Sequence, residues 1–227
     1  MNQGEAPTAD RRSIPDEVAA LLREEILDGL HTPSTLLKQG HLAHRFGTSQ
    51  GPIREAFRRL EAENLVVFHL NRGVRVSSLE VTEVEELGAL RLSLEPELVA
   101  LAATCPEAVD VASARSAIGQ MRSVATPAAL MAANAEFHDA VYSAANRPIT
   151  LELVQRLRAR FERALRLMWR MTGCAALSND EHEEILCLVL SGDAETVRQV
   201  MARHVGRSTL QILEVLRQAE TRAHSSP

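Results

Sequence analysis

The sequence predicts a mainly α fold in two modules: a small helical unit ending in a β-hairpin, then an antiparallel all-α bundle. Three observations carry that expectation. Aromatic residues make up only 3% of the chain, while Ala, Leu, Arg and Glu, which lose little rotamer freedom in a helix, recur throughout. Apolar residues return at helical spacing along most of the 227 residues. The sign of the charge also reverses near Ser78. From His31 to Ser78, Lys38, Arg45, Arg54, Arg58, Arg59, Arg72 and Arg75 outnumber Glu55, Glu61 and Glu63. Just beyond, Glu80, Glu83, Glu85, Glu86, Glu95 and Glu97 face only Arg91. A basic stretch followed by an acidic one marks a domain boundary. The expected divisions are a flexible tail over 1–12, a first domain over 13–78, a second over 79–220 and a tail over 221–227.

In the first module, Pro15 suits the first turn of a helix, and Val18, Leu21, Leu22 and Ile26 follow at helical spacing until Gly29. After Thr32-Pro33-Ser34, a short second helix is expected to carry Leu37, Leu42, Ala43 and Phe46 inward, with Gly47 as its left-handed cap. Ser49 then suits an N-cap and Pro52 a first turn. Ile53, Phe57 and Leu60 line one face of this third helix, and Gln50, Arg54 and Arg58 the other. A short helix, a tight turn over Gly47-Thr48-Ser49 and a helix with a polar outer face together describe a helix-turn-helix, whose outer face suits the major groove of duplex DNA. Two β-rich runs, Leu65-Val66-Val67-Phe68 and Val74-Arg75-Val76, flank Asn71-Arg72-Gly73 and make a wing with Arg72 near its tip.

The second module opens with Thr82-x-x-Glu85, a capping-box pattern, followed by a stripe of Val84, Leu87, Leu90, Leu94, Leu98 and Leu101. Later helix starts are marked by Pro106, Thr126-Pro127, Arg147-Pro148, Ser178-x-x-Glu181 and Asp193, which gives six helices. Short connections between them imply antiparallel neighbours in an up-and-down bundle.

Several function classes are disfavoured. The longest apolar runs, such as Leu98 to Thr104, fall far short of the roughly 20 residues that cross a bilayer, and Met1 to Arg12 lacks the apolar core of a secretion signal. The expected location is the cytoplasm, with no membrane partner. Cys105, Cys174 and Cys187 are far apart and form no C-x-x-C pair, so they are expected to be reduced, buried, small apolar residues. The chain has no G-x-S-x-G, P-loop or H-E-x-x-H, and an enzyme is not expected.

Histidines supply the second candidate chemistry. Asn134 and His138 stand four residues apart, so an amide oxygen and an imidazole can point at one spot. If His182 and His204 converge there, three neutral imidazoles and one amide oxygen suit a divalent transition metal such as Zn, Ni or Mn. Arg91, one turn before Glu95, can meet a carboxylate or pair with Glu95. The remaining histidines, His31, His41, His44, His69 and His224, are expected at the surface.

Leu42-Ala43, Gly47-Thr48-Ser49, Pro52-Ile53-Arg54-Glu55-Ala56, Leu60, Glu63, Leu65-Val66 and Arg72-Gly73-Val74-x-Val76 resemble the N-terminal winged helix-turn-helix domain of GntR-family regulators. Arg91-x-x-x-Glu95-Pro96, Asn134-x-x-Phe137-His138, Asn146, His182-x-x-Ile185, Gly192-Asp193 and His204 are similar to the effector-binding FCD domain of the FadR-like branch. The resemblance implies a dimeric repressor binding a pseudo-palindromic double-stranded operator. Arg45, Thr48, Ser49, Gln50, Arg54 and Arg58 would lie at or beside the DNA backbone and base edges, and Arg72 in the adjacent minor groove. It further implies that His138, His182 and His204, with Asn134 standing where the family has aspartate, hold the metal, with Arg91 beside a small organic-acid effector. Gly40 and Gln50 stand where arginine is frequent, and Ser34 and Gln39 replace a common Gly and Glu. Gln50 suits adenine where arginine prefers guanine, so the operator is expected to differ from the family's commonest one. Two other readings are a regulator for which the metal itself is the signal, and a three-histidine metallohydrolase.

Overall fold

Ser13 starts the first helix with a reciprocal cap: its hydroxyl accepts from the Asp16 N–H at 3.4 Å, and the Asp16 carboxylate accepts from the Ser13 N–H at 3.3 Å. The computed structural model describes residues 13–70, 72–124, 126–172 and 179–224. They form two compact units that divide between Ser78 and Leu79.

The first unit runs α1 (Ile14–Leu27), β1 (Leu36–Leu37), α2 (Gln39–Arg45), α3 (Gln50–Ala62), β2 (Val66–His69) and β3 (Gly73–Val76). The strands form one antiparallel sheet in the order β1-β3-β2, with Val66 opposite Val76 and His69 opposite Gly73. Val18, Leu22 and Ile26 of α1 meet Ile53, Phe57 and Leu60 of α3 in a core closed by Val66, Val74 and Val76. Phe57 is sealed in this core and meets Phe68 edge-on at 6.4 Å; its replacement by alanine would cost about 3–5 kcal/mol. Gly47 takes φ +61 after α2, a left-handed conformation that would strain a side chain and that sets up the turn into α3.

Two expectations within this unit need correction. Leu37 belongs to β1, where it pairs with Val74, because the chain becomes extended before α2 begins at Gln39. Leu21 is 54% exposed; Ala19 and Leu27 fill the inner face of α1 with Val18, Leu22 and Ile26.

The second unit contains α4 (Val81–Ala103), a 3-10 turn (Pro106–Ala108), α5 (Val111–Ser123), α6 (Pro127–Tyr142), a second 3-10 turn (Ser143–Ala145), α7 (Pro148–Thr172), α8 (Asn179–Ser191) and α9 (Ala194–His224). The central helix α4 buries Val84, Leu87, Arg91, Glu95, Leu98, Val99, Ala102 and Ala103, so neighbours cover most of its circumference. Its main partner is α9, and the two touch closely at Gly88, where an added Cβ would collide with the Thr209 side chain. Pro96 lies inside α4 and removes one rung of its hydrogen-bond ladder, beside the buried Glu95.

The Thr82-x-x-Glu85 capping box does not form. The helix begins at Val81 with Glu80 as N-cap, which leaves Thr82 already inside the first turn. Pro106 opens only the 3-10 turn, and α5 starts at Val111 under the cap of Asp110, whose carboxylate accepts from the Ser113 N–H at 3.0 Å. Thr126, Pro148 and Asp193 do mark the starts of α6, α7 and α9. Ser178 lies outside the described residues. Leu90 is 42% exposed and falls off the inner stripe of α4, whose buried line includes Arg91 and Glu95.

Cys105 and Cys187 are exposed, against the expectation of burial, and Cys174 lies outside the described residues. Cys105 sits in the turn before Pro106, and Cys187 lies on the outer side of α8, whose inner side is held by Ile185, Leu186 and Val189.

Candidate functional site

Each unit holds one candidate surface. In the first, α3 divides cleanly: Ile53, Ala56, Phe57 and Leu60 are buried, while Gln50, Arg54 and Arg58 are exposed. Arg54 and Arg58 make no ion pair among the described residues, so both guanidinium groups are available to an outside partner. Arg59 points elsewhere and spends its charge within the unit, on Asp16 and Glu55. Ser49 is the N-cap by backbone conformation, but its hydroxyl makes no capping bond and stays exposed. The Gln39 side-chain amide donates to the Gln50 carbonyl at 2.6 Å, which ties α2 to the start of α3. Thr48 is half-buried in the turn, its N–H donating to the Ala43 carbonyl at 3.0 Å. Arg72 is exposed at the wing, where its N–H closes the turn on the His69 carbonyl at 3.0 Å.

Arg45 differs from these. Its guanidinium forks onto the Glu25 carboxylate and lies 4.9 Å from the Phe46 ring centroid. His31 Nε2 meets the same carboxylate at 2.9 Å. Hydrogen bonding from Arg45 holds the Glu25 carboxyl below its usual range. His31 is therefore part of an internal cluster, whereas His41, His44 and His69 are exposed as expected.

In the second unit, α6, α8 and α9 bring His138, His182 and His204 together, with one candidate ligand atom from each all within 4.8 Å of one another. All are buried, His182 completely. Phe137 packs edge-on against His182 at 4.7 Å between ring centroids and walls the cluster on one side. Asn134 joins it, with Oδ1 3.1 Å from His182 Nε2.

Neighbouring groups orient the rings. His204 Nδ1 donates to Glu181 Oε2 at 2.9 Å, which leaves Nε2 to face inward. Glu181 also pairs with Arg207, and its hydrogen bond from His204 holds its carboxyl below the usual range. His138 Nδ1 lies 3.0 Å from the Tyr142 hydroxyl. Tyr142 in turn donates to Glu95 Oε2 at 2.7 Å, and Arg91 Nε donates to Glu95 Oε1 at 2.6 Å. Burial alone would raise the Glu95 carboxyl, but the charges of Arg91 and Arg158 and these hydrogen bonds hold it low. Burial, reinforced by Arg158, pushes His138 well below the ordinary imidazole value and keeps it neutral, the form that donates a lone pair.

Beside the cluster lies a cavity of about 190 Å³ lined by Arg91, Asn134, Gln155, Arg158 and Phe161, among others. Arg91 stacks over Phe161 with its guanidinium carbon 4.3 Å from the ring centroid. Its Nη1 is buried and has no hydrogen-bond partner among the described residues. Arg158 donates to the Asn134 carbonyl at 3.0 Å and stands 3.8 Å from Asp139.

The Bacterial regulatory proteins, gntR family, model matches residues 15–76, and the FCD domain model matches 86–207, which is more than half of the chain. The chain belongs to the GntR family. Within it, the FCD match places the chain in the FCD-type branch. The HTH-type transcriptional regulator BphR of Paraburkholderia xenovorans is 28% identical over 89% of this chain and 86% of its own length. The HTH-type transcriptional repressor GlaR of Escherichia coli is 24% identical over 81% and 89%. A GntR regulator of Rhodococcus sp. RHA1 shares the fold at TM-score 0.73, with 24% identity over 88% of this chain and 97% of that one. Escherichia coli McbR/YncC does so at TM-score 0.69, with 21% identity over 90% and 99%. This GntR-family protein is thus a DNA-binding transcriptional regulator and not an enzyme, which removes the metallohydrolase reading. No described helix is long and apolar enough to cross a membrane.

The donor set suits a transition metal: three buried imidazoles, two with Nδ1 already engaged, and an amide oxygen converge. None of these donors is anionic. The sequence pointed to Asn134, His138, His182, His204 and Arg91 but missed Tyr142, Glu181 and Arg158. The four-residue step from His138 to Tyr142 on α6 was a usable signal. Glu181 was read only as a helix-start residue, and nothing local in α7 marks Arg158.

Proposed function

We propose that the regulator represses transcription as a homodimer on a pseudo-palindromic operator, and that a small organic acid, bound beside a divalent transition metal in the second unit, relieves repression. Arg54, Arg58, Gln50, Ser49, Thr48 and Arg72 would contact the duplex, the arginines supplying charge-assisted phosphate or base contacts. Arg45 would serve chiefly to fasten α2 to α1, given its pairing with Glu25.

His138, His182, His204 and Asn134 would hold the ion, which when bound supplies a Lewis-acidic position for a carboxylate. The observation that carries the effector reading is the cavity lined by Asn134, the donor that meets His182, together with Arg91 and Arg158. At about 190 Å³ it has room for a small organic acid. Arg91 Nη1 offers an unspent donor there, and Arg158 adds positive charge. Because the ligands are neutral, a bound cation beside two arginines calls for an anion in the cavity. This favours an organic acid over the metal alone as the signal. A ligand of this kind alters operator binding only by preferring one arrangement of the protein over another.

Operator binding of the purified protein tests the reading, using DNA from upstream of its own coding sequence. Affinity is expected to fall when Zn²⁺ and the cognate acid are both present, and to return on chelation. An equal loss with metal alone would make the metal the signal, and no response to either would refute effector control.

A further inference from the structure

His204 reaches its orienting carboxylate directly, but His138 does not: between it and Glu95 stands the phenol of Tyr142, one turn further along α6. The phenol has one proton and three groups in range that can accept it: the Glu95 carboxylate Oε2 at 2.7 Å, which is anionic and nearest, His138 Nδ1 at 3.0 Å, and the much weaker Met201 Sδ at 3.4 Å. That proton belongs on the carboxylate. The phenol oxygen then presents only lone pairs to His138, and Nδ1 at 3.0 Å must be the donor. Nε2 is left unprotonated. Glu95 is itself fixed, fully buried with its second oxygen held by Arg91 Nε.

We propose that Tyr142 is a positioning residue for the metal centre: it relays the Glu95 charge to His138, selects the tautomer protonated on Nδ1, and leaves Nε2 as the ligating atom. The proposal rests on the metal reading above. It gives the centre two differently built supports, a direct carboxylate at His204 and a phenol-extended one at His138. The sealed support ends on Arg91, the residue that also lines the cavity, so one line of buried hydrogen bonds joins the cavity wall to a metal ligand.

Tyr142→Phe keeps the packed ring and deletes only the relay, and two measurements on the full-length protein test it. The first is the ¹⁵N shift pattern of the His138 imidazole in metal-free wild-type protein, which should show a protonated Nδ1 and a bare Nε2. The second is calorimetric titration with Zn²⁺ and Ni²⁺. Tyr142→Phe is expected to bind either ion about 10–100-fold more weakly, with a mixture of His138 tautomers and a melting temperature lowered by a few degrees because buried Glu95 loses one hydrogen bond. Equal affinity in Tyr142→Phe and wild type, or a wild-type His138 protonated on Nε2, would overturn the role of Tyr142 while leaving the metal centre standing. Wild-type protein that binds neither ion would sink the metal reading and this role with it. Should Tyr142→Phe fail to fold, the wild-type tautomer decides alone.

Discussion

On the proposed reading, the outer face of α3 and the histidine cluster meet opposite recognition problems with opposite means. Arg54 and Arg58 stand exposed and unpaired among the described residues, and their long side chains can adapt to phosphates and base edges on arrival. His138, His182 and His204 are buried, and His138 and His204 are held by groups that are themselves held. A polyanionic duplex is attracted over distance by surface charge, so order before contact gains little. A single ion or small acid offers few contacts, so its site must be formed in advance. The first unit offers a partner the exposed charges of Arg54 and Arg58, whereas in the second Arg91 and Glu95 are buried close to the histidines.

Four substitutions or conditions break this contrast, and the largest effect belongs to the buried cluster. His182→Ala should lower Zn²⁺ affinity by more than 100-fold, read by calorimetry, because it removes one of the four proposed donors. Its basal DNA binding should stay within about twofold of wild type. Arg54→Ala should weaken operator binding by about 5–150-fold, the ~1–3 kcal/mol of a base-reading arginine, and leave the melting of the bundle unchanged. Anisotropy with labelled operator checks this, and retained affinity would remove Arg54 from the interface.

A pH titration sharpens the same contrast. Because burial depresses the folded-state value of His138 below 6.5, the unfolded chain takes up a proton that the folded one refuses as pH falls below 6.5. Stability should therefore drop on acidification, by at most about 1.4 kcal/mol per pH unit from this group, until the folded imidazole also titrates. Denaturant melts of wild type and His138→Gln from pH 7.5 to 5 should differ by that slope, and identical slopes would mean that His138 is not a buried neutral group. The smallest effect is expected at Arg45. Its charge is already committed to Glu25, so Arg45→Ala should change operator affinity less than tenfold and stability by about 0.2–1 kcal/mol.

What could be read from the sequence was whatever repeats along a single helix. The inward line of Ile53, Phe57 and Leu60 and the outward line of Gln50, Arg54 and Arg58 follow from 3.6-residue periodicity, as does the shared face of Asn134 and His138. Gathering His182 and His204 to the same point required the resemblance, since α8 and α9 reach it only through tertiary packing. Leu37 was misread because a two-residue strand has no period of its own and exists only by pairing with β3. Leu21 and Leu90 were misread because an apolar residue at the edge of a stripe can stay in water at little cost, while buried charges such as Arg91 and Glu95 occupy the inner line. Tyr142 and Glu95 are 47 positions apart, and no local pattern announces their bond.

The central claim is that the buried histidine cluster governs what the exposed arginines do. Anisotropy of labelled operator DNA, with wild type and His182→Ala titrated side by side with and without Zn²⁺ and the cognate acid, measures it most directly. The account predicts that metal and acid together weaken wild-type binding at least tenfold and leave His182→Ala unmoved. Equal responses from the two proteins would contradict it.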